Sequence, residues 1–248
     1  MSKKLVNERF LFDDLFVNCA DYPDQVGKIV GGENAKIGEF PWQAMLAYKS
    51  ITRTFCGGTL LLEKFVITAA HCFSKDFITP DTVLIVLGNH YLYQTDPGEV
   101  THEVRKWVIH PSYGRVSNDI AIIQLKEPVK LNKYIGTACL PLVEYSDDKT
   151  VIISGWGETS QKNVSSKAFP SAILQKASVK IVNRKICQKM YDVPNKDGDT
   201  EKIDDGMICA ASEGKDSCQG DSGGIKLFHK LKLNVSFLFL KRELANCL

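Results

Sequence analysis

The chain has 248 residues, with 31 Lys and Arg against 29 Asp and Glu, a formal charge of +2. That balance cannot neutralise a phosphate backbone and excludes a nucleic-acid partner held by charge. Hydrophobic residues make up 44% and charged residues 24%, the composition of a chain that buries a core rather than one that stays disordered. No apolar run approaches the roughly 18 residues that a membrane-spanning helix needs. Runs such as Val235 to Leu240 end quickly in charge, so no membrane partner is expected.

In chain order, residues 1–28 are irregular. Leu5 to Val17 is apolar but broken by Glu8, Arg9, Asp13 and Asp14, where a signal peptide needs an uninterrupted stretch; an upstream portion is therefore expected. The texture changes after Lys28, where Ile29-Val30-Gly31-Gly32 begins, and a domain boundary is placed there. Beyond it Gly and Pro punctuate short segments rich in β-branched and aromatic residues, the spacing of an all-β sandwich or barrel. Phe65–Thr68, Val83–Leu87, Ile120–Leu125, Val151–Ile153 and Ala177–Val182 read as strands. Asn183–Tyr191 reads as a helix with Asn183 as N-cap and Ile186, Cys187 and Met190 on one face.

Eight cysteines, at positions 19, 56, 72, 139, 187, 209, 218 and 247, form no CxxC pair. An even count spread so widely reads as disulfides in an oxidising compartment rather than as a zinc cage. The glycosylation acceptors Asn163-Val164-Ser165 and Asn234-Val235-Ser236 fit the same address. No metal ligand spacing fits, and no cofactor is expected.

The strongest chemical signal is Gly220-Asp221-Ser222-Gly223-Gly224. Glycines on both sides let a tight turn expose the Ser222 hydroxyl while the N–H groups of Gly220 and Ser222 point at one spot, an oxyanion hole beside a nucleophile. A plain Gly-rich hairpin turn is the competing reading. A serine hydroxyl needs a base to take its proton. His90, His102, His110 and His229 sit among polar or turn residues and read as solvated side chains. His71 lies in Thr68-Ala69-Ala70-His71-Cys72, where it is either a satisfied core residue or that base. Asn118-Asp119-Ile120-Ala121 places an acid at the mouth of an apolar strand, a costly position unless a partner meets it.

Together Ile29-Val30-Gly31-Gly32, Thr68-Ala69-Ala70-His71-Cys72, Asp119-Ile120-Ala121, Gly155-Trp156-Gly157 and Gly220-Asp221-Ser222-Gly223-Gly224 resemble the trypsin and chymotrypsin family of serine proteases. The order His71, Asp119, Ser222 is the one that separates that family from subtilisins and α/β-hydrolases. The resemblance implies two packed antiparallel six-stranded β-barrels with the active site between them. It makes Ser222 the nucleophile, His71 the general base and then acid, and Asp119 the group that orients His71. It further implies an activation cut at Lys28-Ile29, pairing of the freed Ile29 ammonium with Asp221, and a specificity pocket floored by Asp216 that selects Lys or Arg. It suggests the disulfides Cys56–Cys72, Cys187–Cys209 and Cys19–Cys139, the last tethering the prosegment. Partners would be protein or peptide substrates, an activating protease and serpin or Kunitz-type inhibitors. The address would be extracellular.

The resemblance ends at Gly224, where Ile225-Lys226-Leu227-Phe228 follows. The family's Ser-Trp-Gly segment, its cysteine partner for Cys218 and its C-terminal helix are not recognisable. Leu231, Leu233, Val235, Phe237 and Phe239 alternate with polar residues and predict one strand. The chain thus divides into a prosegment (1–28), a protease domain (29–224) and a divergent tail (225–248). The second barrel is expected to be incomplete and the activity low. The runner-up function is a non-catalytic homologue or truncated isoform serving as a binding or decoy module.

Overall fold

The computed structural model describes residues 33–50, 54–114, 117–140, 147–157, 171–192 and 202–211, with the backbone of 226–228. The strands are β1 (Glu33–Asn34), β2 (Gln43–Tyr48), β3 (Thr54–Leu62), β4 (Phe65–Thr68), β5 (Val83–Leu87), β6 (Val100–Ile109), β7 (Ala121–Leu125), β8 (Thr150–Gly155), β9 (Gln175–Val182), β10 (Cys209–Ala211) and β11 (Lys226–Phe228). Among the described residues an α-helix, α1, spans Arg184–Tyr191.

Six strands close into an antiparallel barrel in the order β2-β3-β4-β7-β6-β5, with β5 returning to β2. A five-stranded sheet runs β1-β9-β8-β11, with β10 also paired to β9. Period-2 alternation explains how the two halves join, because successive side chains of a strand face opposite ways. On β2, Ala44 and Leu46 point into the barrel core while Met45 and Ala47 point into a second core shared with the sheet. On β8, Val151 and Ile153 serve the sheet's own core and Ile152 serves the shared one. Gln43 through Ala47 are consequently all buried, since both faces of β2 are covered.

A polar pin crosses the shared core, where the Ser154 hydroxyl donates to Gln43 Oε1 at 2.8 Å and both residues are buried. A buried amide and hydroxyl that satisfy each other avoid the cost that either would bear alone.

The helix begins where Asn183 predicts. Its side-chain oxygen accepts from the N–H of Lys185 at 2.9 Å and of Ile186 at 3.4 Å, groups that otherwise lack partners in the first turn. Its expected apolar face is corrected: Cys187 is buried, whereas Ile186 and Met190 lie 57% and 65% exposed. Cys187 is bonded to Cys209 of β10, and polar side chains also tie the helix down: Gln188 Oε1 accepts from the Ile203 N–H at 2.7 Å and Arg184 pairs with Asp205.

The last strand lies beyond the point where the motifs end. Lys226, Leu227 and Phe228 pair with Ile153, Ile152 and Val151 and extend the sheet past Gly224. The predicted strand at 231–239, both glycosylation acceptors and the prosegment lie outside the described residues.

Candidate active site

The loop carrying His71 is fixed by what precedes it. Strand β4 runs between β3 and β7 with Val66, Ile67 and Thr68 buried. Gly58 of β3 permits that approach, since a Cβ there would meet Val66 Cγ1 at 2.9 Å and the Ile67 carbonyl at 3.1 Å. The chain then enters the 3-10 segment Ala70–Phe73, where Ala69 and Ala70 are fully buried and nothing larger than a methyl is needed. Cys72 is bonded to Cys56 of β3, and Thr68 Oγ1 donates to the Gly57 carbonyl at 2.7 Å. Phe73 stacks on Trp107 of β6 with ring centroids 4.1 Å apart. His71 is therefore anchored on both sides by the barrel wall.

Asp119 stands at the entrance to β7, which pairs with β4 and β6. Its carboxylate grips His71 twice: Oδ1 accepts from the His71 backbone N–H at 2.7 Å, and Oδ2 lies 2.6 Å from Nδ1. The Asp119 side chain is 1% exposed and that of His71 is 22% exposed. The acid is thus removed from water and depends on these donors, while the imidazole keeps an open edge. An ionised carboxylate only accepts, so the proton between them belongs to Nδ1 and the lone pair falls on Nε2. Such a pair takes a proton at Nε2 and stabilises the resulting imidazolium.

Tyr113 packs nearby. Burial, with the Asp119 charge second, pushes its phenol above the ordinary tyrosine range. Nothing in the sequence signals this neighbour except its position six residues before the acid.

His90 corrects its sequence reading. It is 5% exposed rather than solvated, because it sits at the junction of the two halves. Its carbonyl accepts from Trp156 Nε1 at 3.0 Å and from the Leu174 N–H at 2.8 Å. Its N–H donates to Asp96 Oδ2 at 2.6 Å, and Nδ1 is buried without a hydrogen-bond partner. Burial pulls its pKa below the ordinary histidine value, outweighing the opposing charges of Asp96 and Glu39. His102 is half-buried and its pKa is also lowered by burial, whereas His110 is exposed.

One group of metal-ligand types gathers among the described residues, Cys56, His71 and Cys72. The two cysteines share a disulfide and leave no thiolate for a metal. Cys139 is also disulfide-bonded, and its expected partner Cys19 lies outside the described residues. Lys28, Ile29, Asp216, Gly220, Asp221 and Ser222 lie outside them too, so the structure brings together two of the expected catalytic residues, His71 and Asp119.

Comparison with known proteins matches this arrangement to relatives. The family model described as Trypsin matches residues 29–228. The chain is 38% identical over 207 residues to transmembrane protease serine 9 of Rattus norvegicus, covering 81% of this chain and 18% of that protein. It is 35% identical over 211 residues to coagulation factor IX of Oryctolagus cuniculus, covering 81% and 70%. It is 33% identical over 216 residues to mannan-binding lectin serine protease 1 of Mus musculus, covering 81% and 29%. The chain therefore spans less than a third of two of these relatives. Among solved structures it is similar to neuropsin, a serine protease expressed in mouse brain, with a TM-score of 0.68 and 30% identity over 82% of this chain and 84% of that one. A family model covering most of the chain, and a neighbour matched over most of both lengths, agree with a barrel that delivers a histidine to a buried carboxylate: the chain belongs to the trypsin family of serine proteases.

Proposed function

We propose that this chain is a serine endopeptidase, made as a zymogen, that hydrolyses peptide bonds after Lys or Arg through an acyl-enzyme. The observation that carries the reading is the double grip of Asp119 on the backbone N–H and Nδ1 of His71. It orients one imidazole with Nε2 as base, which a purely structural ion pair does not require. In this reading Nε2 takes the proton of Ser222 Oγ as that oxygen attacks the scissile carbonyl, and returns it to the leaving amine. The N–H groups of Gly220 and Ser222 receive the oxyanion. A cut at Lys28-Ile29 frees the ammonium that pairs with Asp221. Asp216 gives the pocket a buried negative floor that a Lys or Arg side chain compensates. The disulfides Cys56–Cys72 and Cys187–Cys209 support an oxidising, extracellular address, and inhibitors of the serpin or Kunitz type are the corresponding regulators.

The test uses chain cut at Lys28-Ile29 and amide substrates with Lys, Arg or Phe before the scissile bond. Turnover confined to Lys and Arg, abolished in Ser222→Ala and indifferent to side chain in Asp216→Ser, supports the reading. Parental turnover in purified Ser222→Ala, or equal turnover before and after the cut, contradicts it. A non-catalytic homologue predicts no turnover in any of these samples.

A further inference from the structure

We infer that Asn118 is a positioning residue for Asp119, and through it for His71. Asn118 has a φ of 53°, in the left-handed region that costs an ordinary side chain and that Asn tolerates better than most. The side chain is exposed, so no packing forces that conformation. Hydrogen bonds hold it instead. Asn118 Nδ2 donates to the Ser112 carbonyl at 3.0 Å, and the Asn118 carbonyl accepts from the Ile120 N–H at 2.8 Å, closing a three-residue turn centred on Asp119.

The far side of that turn is tied as well. The Ile120 carbonyl accepts from the His110 N–H at 3.0 Å, and His110 Nδ1 accepts from the Ser112 N–H at 3.1 Å. Ser112 thus links both flanks of Asp119 into one ring of hydrogen bonds, running Asn118, Ser112, His110, Ile120 and back to Asn118. The other non-glycine residue of positive φ among the described residues, Asp148 at 62°, precedes β8 and donates its N–H to the Ile181 carbonyl at 2.9 Å. The direction of the Asp119 carboxylate depends on the peptide that Asn118 sets. Two contacts of 2.7 and 2.6 Å to His71 survive only small rotations of that peptide, since working sites hold their groups to within roughly 0.5 Å.

The kinetic part of the test rests on the Ser-His-Asp reading; the spectroscopic part does not. It compares the cut, full-length parent with Asn118→Gly, which accepts positive φ, and Asn118→Ala, which does not. The first readout is the downfield proton resonance of His71 Nδ1–H in its bond to Asp119, observed in folded protein without turnover. It is expected to be kept in the glycine variant and lost or broadened in the alanine variant. The second is the kinetics of amide hydrolysis. Asn118→Ala is expected to lower kcat about tenfold with KM nearly unchanged. Asn118→Gly is expected to fall between the alanine variant and the parent.

If Asn118→Ala keeps the parent's resonance and kcat while only its melting temperature falls, the residue is merely structural and the inference is overturned. An order in which glycine is worse than alanine overturns it too. Should Ser222→Ala retain parental turnover, the acyl-transfer reading fails, and the resonance alone still decides the role of Asn118.

Discussion

The closed barrel and the five-stranded sheet solve the edge problem of β-structure differently. In the barrel every strand has two paired neighbours, so no row of backbone groups is left for another chain. In the sheet, among the described residues, β1 and β11 end the run of paired strands, and Ile152 of β8 is covered by the barrel through the shared core. Closure makes the barrel the half expected to be more rigid, and it is the half that supplies both His71 and Asp119. Positioning a histidine against a buried acid to within tenths of an ångström needs a closed frame.

A matched pair of substitutions tests whether closure confers that rigidity. Ile123 is fully buried in the barrel core and Ile181 is 4% exposed in the core of the sheet. Truncating a buried Ile to Ala typically costs about 2–5 kcal/mol, with the larger values where the surroundings cannot collapse into the space. Ile123→Ala is therefore expected near the top of that range and Ile181→Ala near the bottom, measured by denaturant unfolding. Equal costs, or the reverse order, break the comparison.

The disulfides sharpen it. Cys56–Cys72 and Cys187–Cys209 close similar loops, with sequence separations of 16 and 22, so replacing either pair by Ala is expected to cost about 3 kcal/mol. Activity should separate them. Loss of Cys56–Cys72 loosens the segment that carries His71 and should lower kcat at temperatures where the protein is still folded. Loss of Cys187–Cys209 should leave kcat nearer the parent. Thermal melts and kinetics on both double variants check this, and equal loss of kcat would count against a barrel-held histidine.

The smallest expected effect lies at the junction. Burial lowers the His90 pKa in the folded chain below its ordinary value of 6.5, so the unfolded chain binds the proton more readily. Stability from this residue is then complete above about 6.5 and is lost as pH falls through that value. His90→Phe removes the titration, and its melting temperature should fall less than the parent's between about pH 7 and pH 5. Identical slopes for the two proteins would show that His90 does not report on the junction.

What the sequence made legible follows the range of the interactions involved. Strand β5 is bounded as read, Val83–Leu87, because Pro80-Asp81-Thr82 and Gly88, with φ of 73°, stop it locally. The cap at Asn183 is equally local. The acid at Asp119 was legible because an unpaired carboxylate at the mouth of an apolar strand demands a partner. His90 was not, since its burial depends on Trp156 and Leu174, far along the chain. Strand β1 is hidden for the same reason, since the pairing of Glu33 and Asn34 is with Lys176 and Gln175 of β9, far along the chain. The exposure of Ile186 and Met190 was hidden by a helical pattern that gives an apolar face but not what covers it. Asn118 carries a local signal, since a residue tolerant of left-handed backbone stands directly before the acid.

The central claim is that His71 and Asp119 activate Ser222. Its most direct test is active-site titration of chain cut at Lys28-Ile29 with an organophosphorus reagent that phosphonylates activated serines, with the labelled peptide located by mass spectrometry. The account predicts one label per folded chain, on Ser222, slowed on the order of 10^4-fold in Asp119→Asn because the imidazole is then held in the wrong tautomer. Folded, cut chain that takes no label, or that labels at the same rate with Asp119→Asn, would contradict it.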